Sequence, residues 1–138
     1  MPGKLSMLTS LKVRFHECDP LQIVWHGNYL KYFEEGREDF CRLHGISYNH
    51  AKDQGISTPI VKSACEHKLP LKYGDTFEIE TSFINSEAAK MIFEYRIIKN
   101  GNLICTGQTV QVFLDANGLL QLKNPPFFLD WKQKMGLI

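Results

Sequence analysis

"CDPLQIVWHGNYLKYFEEGREDF", residues 18–40, decides how this chain is built. From Asn28 to His44 the residues Tyr29, Phe33, Gly36, Phe40 and Leu43 recur at intervals of four, three, four and three, the stripe of an amphipathic helix. Glu34, Glu35, Glu38 and Asp39 fall largely off that stripe. Gly45 follows Arg42 and His44, so the helix stops with cations at the negative end of its dipole and a glycine to end it. Ahead of the helix, an acidic residue, Asp19, stands seven positions before "HGNY" across an apolar link.

No other segment repeats the helical period at that length. Upstream, "LKVRFHE" alternates Leu11, Val13 and Phe15 with Lys12, Arg14 and His16, which predicts a first strand. Downstream, "SYNHAKDQG" adds a short helical piece with Ser47 as its cap and Gly55 as its end. From Thr58 onward the chain changes to strands and turns. "PIVKSACEHKL" leads to the breaker "PLKYGD". "TFEIETSFI" follows with Phe77, Ile79, Thr81 and Phe83 on one face, then "AKMIFEYRIIK" with Met91, Phe93, Tyr95 and Ile97.

Asn100-Gly101 marks a two-residue type I′ hairpin, because both central residues of that turn need positive φ. Lys99 then faces Asn102, and the pairs Ile97/Ile104, Tyr95/Thr106 and Phe93/Gln108 follow. "LICTGQTVQVFLD" makes one long strand ended by Ala116-Asn117-Gly118, and "NPPFF" precedes a short terminal helix. One strand, one long helix and about four antiparallel strands make an α+β domain, expected to be a single domain over residues 1–138. The sheet is left with an uncovered face and an open edge, which dimerisation would close.

Composition narrows the function classes. The chain has 138 residues with 43% hydrophobic and 22% charged, the balance of a soluble globular protein. A net charge of +1, with lysines and arginines scattered, gives no field to recruit nucleic acid. "MPGKLSMLTSLK" lacks the apolar core of a signal peptide and no stretch approaches a membrane span, so a cytoplasmic protein is expected. Cys18, Cys41, Cys65 and Cys105 are far apart and the five histidines lack zinc spacing, so neither metal nor redox motif is expected. Cys18 adjoins Asp19, and His16 or His26 could serve it as a base.

"RFHECDPLQIVWHGNYLKYFEEGR", residues 14–37, resembles the signature of the hotdog-fold thioesterases of the 4-hydroxybenzoyl-CoA thioesterase family, including the Tol-Pal-associated short-chain acyl-CoA thioesterases. Asp19, Trp25, His26, Tyr29, Phe33, Glu34, Gly36 and Arg37 occupy the signature positions. "HKLPLKYGDTFEIETSF" and "NGNLICTGQTVQVFLD" resemble the family's later strands, so the likeness spans nearly the whole chain. One departure stands out: Gln22 occupies a place where the family commonly has glycine.

The resemblance implies a hotdog fold, an antiparallel sheet of about five strands wrapped around one long helix. It implies an acyl-CoA thioesterase that needs no metal or other cofactor, coenzyme A being part of the substrate. Asp19 would attack the thioester as nucleophile through a mixed anhydride, or act as general base for water. The backbone N–H of His26 or Gly27 would hold the thioester carbonyl, with the His26 side chain assisting. Gln22, Trp25, Asn28 and Tyr29 would line the substrate site, and Gly27 would let a ligand approach closely.

Glu34, with Glu35, is the alternative attacking group, although Glu34 and Arg37 at this spacing can simply pair. Coenzyme A would meet scattered cations among Lys62, Lys68, Lys72, Lys90 and Arg96, with Lys90 preferred. A homodimer or homotetramer is implied. Two other readings stay open: a hotdog enoyl-CoA hydratase using a couple such as His26 with Glu34, and a module that binds an acyl thioester without turning it over, which Gln22 keeps in play.

Overall fold

The computed structural model describes residues 5–46 and 48–138. Strand β1 spans Ser6–Lys12 and a single 3-10 turn spans Phe15–Glu17, followed by helix α1 (Asn28–His44) and short helix α2 (Tyr48–Asp53). Strands β2 (Ile60–His67), β3 (Thr76–Ile84), β4 (Met91–Lys99) and β5 (Asn102–Gln111) come next, then helix α3 (Pro126–Lys134). The strands form one antiparallel sheet in the order β1-β3-β4-β5-β2. This is the α+β hotdog arrangement expected from the sequence.

Alternation writes the buried face. Phe77, Ile79, Thr81 and Phe83 of β3 and Met91, Phe93, Tyr95 and Ile97 of β4 all face inward. Against them α1 lays Tyr29, Phe33, Gly36 and Phe40, with the Phe33 ring stacked on Tyr95 at 4.5 Å. Two glycines permit this closeness. A Cβ on Gly36 would stand 2.5 Å from Thr81 Oγ1, and one on Gly107 would stand 2.2 Å from the Phe33 ring. The helix stripe is shifted from the expected one: Leu43 is 61% exposed, and Tyr32, unmarked in the sequence, is buried. At the far end α1 closes on Gly45 in the left-handed region (φ 75°), and the Trp131 indole of α3 donates to the His44 carbonyl at 2.7 Å.

Two expectations are corrected. The first strand lies earlier than the alternation suggested and ends at Lys12; Phe15 is exposed and packs edge-to-face on Tyr73. The strand cannot continue because the Arg14 N–H donates to the Glu17 carboxylate and the Glu17 N–H to the Arg14 carbonyl, bending residues 14–17 into the 3-10 turn. The Asn100-Gly101 turn is present, with φ of 50° and 79°, and Lys99 faces Asn102. Beyond it the register slips by one: Ile97 pairs with Cys105, Tyr95 with Gly107 and Phe93 with Thr109. A bulge between Ile97 and Ile98, with Ile104 as the extra residue on β5, places both Ile104 and Cys105 in the core, which strict alternation forbids. Ser47, expected to cap the short helix, lies outside the described residues, while Gly55 does adopt a positive φ.

Candidate active site

Asp19 sits at the tip of a small hairpin that precedes α1. Cys18 bridges Val24, the Asp19 N–H donates to the Ile23 carbonyl at 2.9 Å, and the Gln22 N–H donates to the Asp19 carbonyl at 2.8 Å. Pro20 supplies the fixed φ of a turn's first corner, and Gln22 closes the loop in the left-handed region at φ 68°. Glycine takes such an angle without cost, and Gln22 adopts it here despite its side chain. The Asp19 carboxylate accepts the Leu21 N–H at 2.9 Å, so one of its oxygens serves the turn. Ile23 bridges Lys72 and the Val24 N–H donates to the Leu71 carbonyl, which fastens the hairpin beside β3.

Glu17, which the sequence did not single out, joins this hairpin to the helix. Its carbonyl accepts the Trp25 N–H and the Asn28 side-chain amide, and its carboxylate accepts the Tyr32 hydroxyl at 3.0 Å. Burial and this carboxylate together push the Tyr32 hydroxyl pKa well above its ordinary value. The usable signal was Tyr32 itself, three residues from Tyr29 and four from Gly36 on the helical face.

No side chain caps the start of α1. The Asn28 and Tyr29 N–H groups turn back onto the Trp25 and His26 carbonyls. The N–H groups of His26 and Gly27 donate to no acceptor among the described residues. A helix start of this kind presents amide hydrogens and the positive dipole end to solvent or ligand.

The remaining predicted site residues take varied places. Gly27 is covered by its own neighbour: a Cβ there would stand 2.2 Å from the Trp25 indole, so glycine is needed for that ring. Trp25 is 49% exposed, and its ring lies 5.1 Å from that of the exposed His26. Asn28 is spent on the Glu17 carbonyl. Tyr29 is buried in edge contact with His67, and burial pushes its hydroxyl up to about 12. Glu34 pairs with Arg37 at 3.8 Å, eight residues beyond His26 and about 12 Å further along the helix, so one chain does not form the hydratase couple.

Lys90 stands just before β4, whereas the Asp19 hairpin is docked at the Lys99 end; at ~3.3 Å per residue the strand separates them by about 30 Å. Asp19 and His26 line neither the cleft between α1 and the start of β2 nor the one along β4, β5 and β2. Trp25 and His26 are exposed and Asp19 and Gly27 half-buried, so within one chain the hairpin and the helix start lie at the surface. Among the described residues no cluster of histidine, cysteine and carboxylate side chains could hold a metal, and no helix is long and apolar enough to cross a membrane.

Comparison with known proteins agrees with this architecture. A putative esterase of Aquifex aeolicus is 34% identical over 98 residues, covering 71% of this chain and 77% of its own. The putative acyl-CoA thioesterase YneP of Bacillus subtilis is 28% identical over 122 residues, 88% of each. The solved 4-hydroxybenzoyl-CoA thioesterase of Pseudomonas sp. strain CBS-3 shares the fold with a TM-score of 0.77 at 21% identity, over 94% of this chain and 99% of its own. Residues 13–132 match the thioesterase-like superfamily, and the chain belongs to that superfamily.

Proposed function

We propose that the protein is an acyl-CoA thioesterase in which Asp19 activates or delivers the attacking oxygen and the His26 and Gly27 amides polarise the thioester carbonyl. The observation that carries this reading is the pair of unengaged N–H groups at the uncapped start of α1, on the same loop as Asp19. A thioester carbonyl seated on those amides gains stabilisation as its oxygen becomes an oxyanion, the step at which such donors count most. The thiolate leaves without needing a strong acid. Gln22 adopts a positive φ of 68°, an angle glycine takes without cost, and this supports a turn shaped for catalysis over a binding-only module.

A second copy completes the site in this reading. β2 is an edge strand exposed along nearly its whole length, with Ile60 and Val61 open to solvent, and α1 lies chiefly over β1 and β3. Antiparallel pairing of β2 with β2 of a second chain would extend the sheet and cover that open half. The His67 end of β2, which packs on Tyr29 at the start of α1, would then meet the Ile60 end of the partner strand. Lys90 belongs to the Ile60 end of the sheet, because Gln111 pairs with both Ile60 and Met91. A two-fold pair would bring a cation from one chain toward the Asp19 hairpin of the other, where coenzyme A phosphates need it.

The test is incubation of purified protein with a panel of acyl-CoAs and a thiol-detecting dye. Release of free thiol supports hydrolysis; consumption of an enoyl-CoA without thiol release indicates hydration; tight binding with neither indicates a carrier.

A further inference from the structure

Cysteines far apart in sequence meet at the His67 end of β2. Cys65 stands opposite Gly107 of β5, and His67 stands opposite Cys105. Side chains alternate between the faces of a strand, so Cys65, His67, Cys105 and Gly107 share one side of the sheet. It is the side that α1 covers, where Phe33 lies over Gly107 and Tyr29 packs on His67. Gly107 places no side chain of its own between Cys65 and its diagonal neighbour Cys105, and the two thiols are in hydrogen-bond contact. Cys65 Sγ also lies 3.9 Å from His67 Nδ1.

The two thiols differ in kind. Cys105 is fully buried and Cys65 half-buried. The Cys105 S–H, donating to Cys65, holds the Cys65 thiol below its ordinary pKa although burial opposes this. The same bond and burial push the Cys105 thiol far up. Cys41, in α1, behaves as buried cysteines ordinarily do, its thiol pushed up to about 11. A reachable thiol of lowered pKa beside a second thiol is the arrangement in which one sulfur is oxidised and the other resolves it.

We propose that Cys65 and Cys105 are a reversible redox pair, in which peroxide oxidises Cys65 and Cys105 closes a disulfide with it. The Cys65 thiolate attacks one oxygen of hydrogen peroxide and the O–O bond breaks. Cys65 becomes a sulfenic acid, and the departing hydroxide takes up the thiol's proton as water. The Cys105 sulfur then attacks the Cys65 sulfur, the S–O bond breaks, and the hydroxyl leaves with the Cys105 proton as a second water. A dithiol reverses the change and is itself oxidised to a disulfide.

Closure draws the sulfurs to about 2.05 Å, and diagonal partners start farther apart than direct ones. The end of β2 must therefore shift toward β5. Its regular pairing stops at His67, two residues beyond Cys65, where the Lys68 and Leu69 N–H groups share the Ile104 carbonyl. Pairing of β2 with a second chain would use its backbone edge and leave the Cys65 side chain on the α1 side. The chemistry needs nothing of Asp19, so it stands whether or not the protein hydrolyses thioesters.

Treatment of the purified, reduced full chain with equimolar hydrogen peroxide tests it. The mass should fall by two hydrogens, two of the four thiols should vanish from a count made in denaturant, and dithiothreitol should restore both. A non-reducing peptide map should join Cys65 to Cys105. Cys105→Ala, which cannot resolve, should instead gain one oxygen at Cys65, where dimedone traps it, while Cys65→Ser should keep its remaining thiols at the same dose. Cys18→Ser should form the disulfide as wild type does, since Cys18 is also near Tyr29 but takes no part. The wild-type map decides the matter even where a core variant folds poorly. A disulfide joining Cys65 to Cys18, first oxidation at Cys41, or four intact thiols at a dose that oxidises free cysteine would overturn the proposal.

Discussion

Replacing Gln22 with glycine should stabilise the protein, and the size of the effect follows from one backbone angle. Gln22 sits at φ 68°, where a side chain costs about 1–2 kcal/mol relative to the right-handed region. Glycine escapes that cost but gains freedom in the unfolded chain, which takes back about 0.4–1 kcal/mol. The Gln22 side chain makes no hydrogen bond among the described residues, while its N–H bond to the Asp19 carbonyl is kept by any residue except proline. The net expectation is a gain of about 0.5–1 kcal/mol. At about 2.1 cal/mol/K per residue, 138 residues carry an unfolding entropy near 0.3 kcal/mol/K, so Tm should rise by about 2–3 °C. Thermal unfolding followed by circular dichroism measures this directly. Hydrolysis by Gln22→Gly should stay close to wild type, because Asp19 keeps its turn. A Tm that stays the same or falls would refute the claim that this loop bears a left-handed strain at Gln22.

Gly107→Ala should destabilise the fold by about 1–3 kcal/mol, seen as a lower urea midpoint, because the new methyl would meet the Phe33 ring at 2.2 Å and the Ala64 carbonyl at 2.9 Å. Asp75 gives a pH signature: burial pushes its carboxyl up, but the Lys72 N–H at 2.8 Å and the Lys99 ammonium at 3.0 Å outweigh it and hold the pKa below its ordinary value. A depressed folded pKa contributes stability that is fully present above the unfolded value and lost as pH falls through the folded value. Asp75→Asn should therefore be less stable than wild type at neutral pH, with the gap closing below about pH 4, as urea midpoints across pH would record.

The helix was legible because its signals agree: the stripe of Tyr29, Phe33, Gly36 and Phe40 and the stop at Gly45 give its bounds without any knowledge of the sheet. β3 and β4 were legible for the same reason, since each shows an inward residue at every second place. The slipped register of β5 was harder, although two adjacent apolar residues, Ile104 and Cys105, carried a hint that one extra residue must be absorbed. The misplaced first strand shows the opposite failure. Phe15 continues the alternation, but the hydrogen bonds linking Arg14 and Glu17 bend the chain there, and a pattern of polarity does not record them.

For the candidate site, sequence likeness marked Asp19 and the helix start. It did not reveal that Glu17 fastens the two together through Trp25, Asn28 and Tyr32. Those bonds use one backbone carbonyl and one carboxylate, groups that leave no periodic trace.

Asp19→Asn tests the central claim most directly, because asparagine keeps an oxygen for the Leu21 N–H while losing both the negative charge and the basic site. With an acyl-CoA that the wild-type protein hydrolyses, kcat should fall by about 10²–10⁴-fold with Tm unchanged, the loss expected of an essential base or nucleophile. Turnover close to wild type in Asp19→Asn would contradict the account and move the attacking role to Glu34, Glu35 or Cys18.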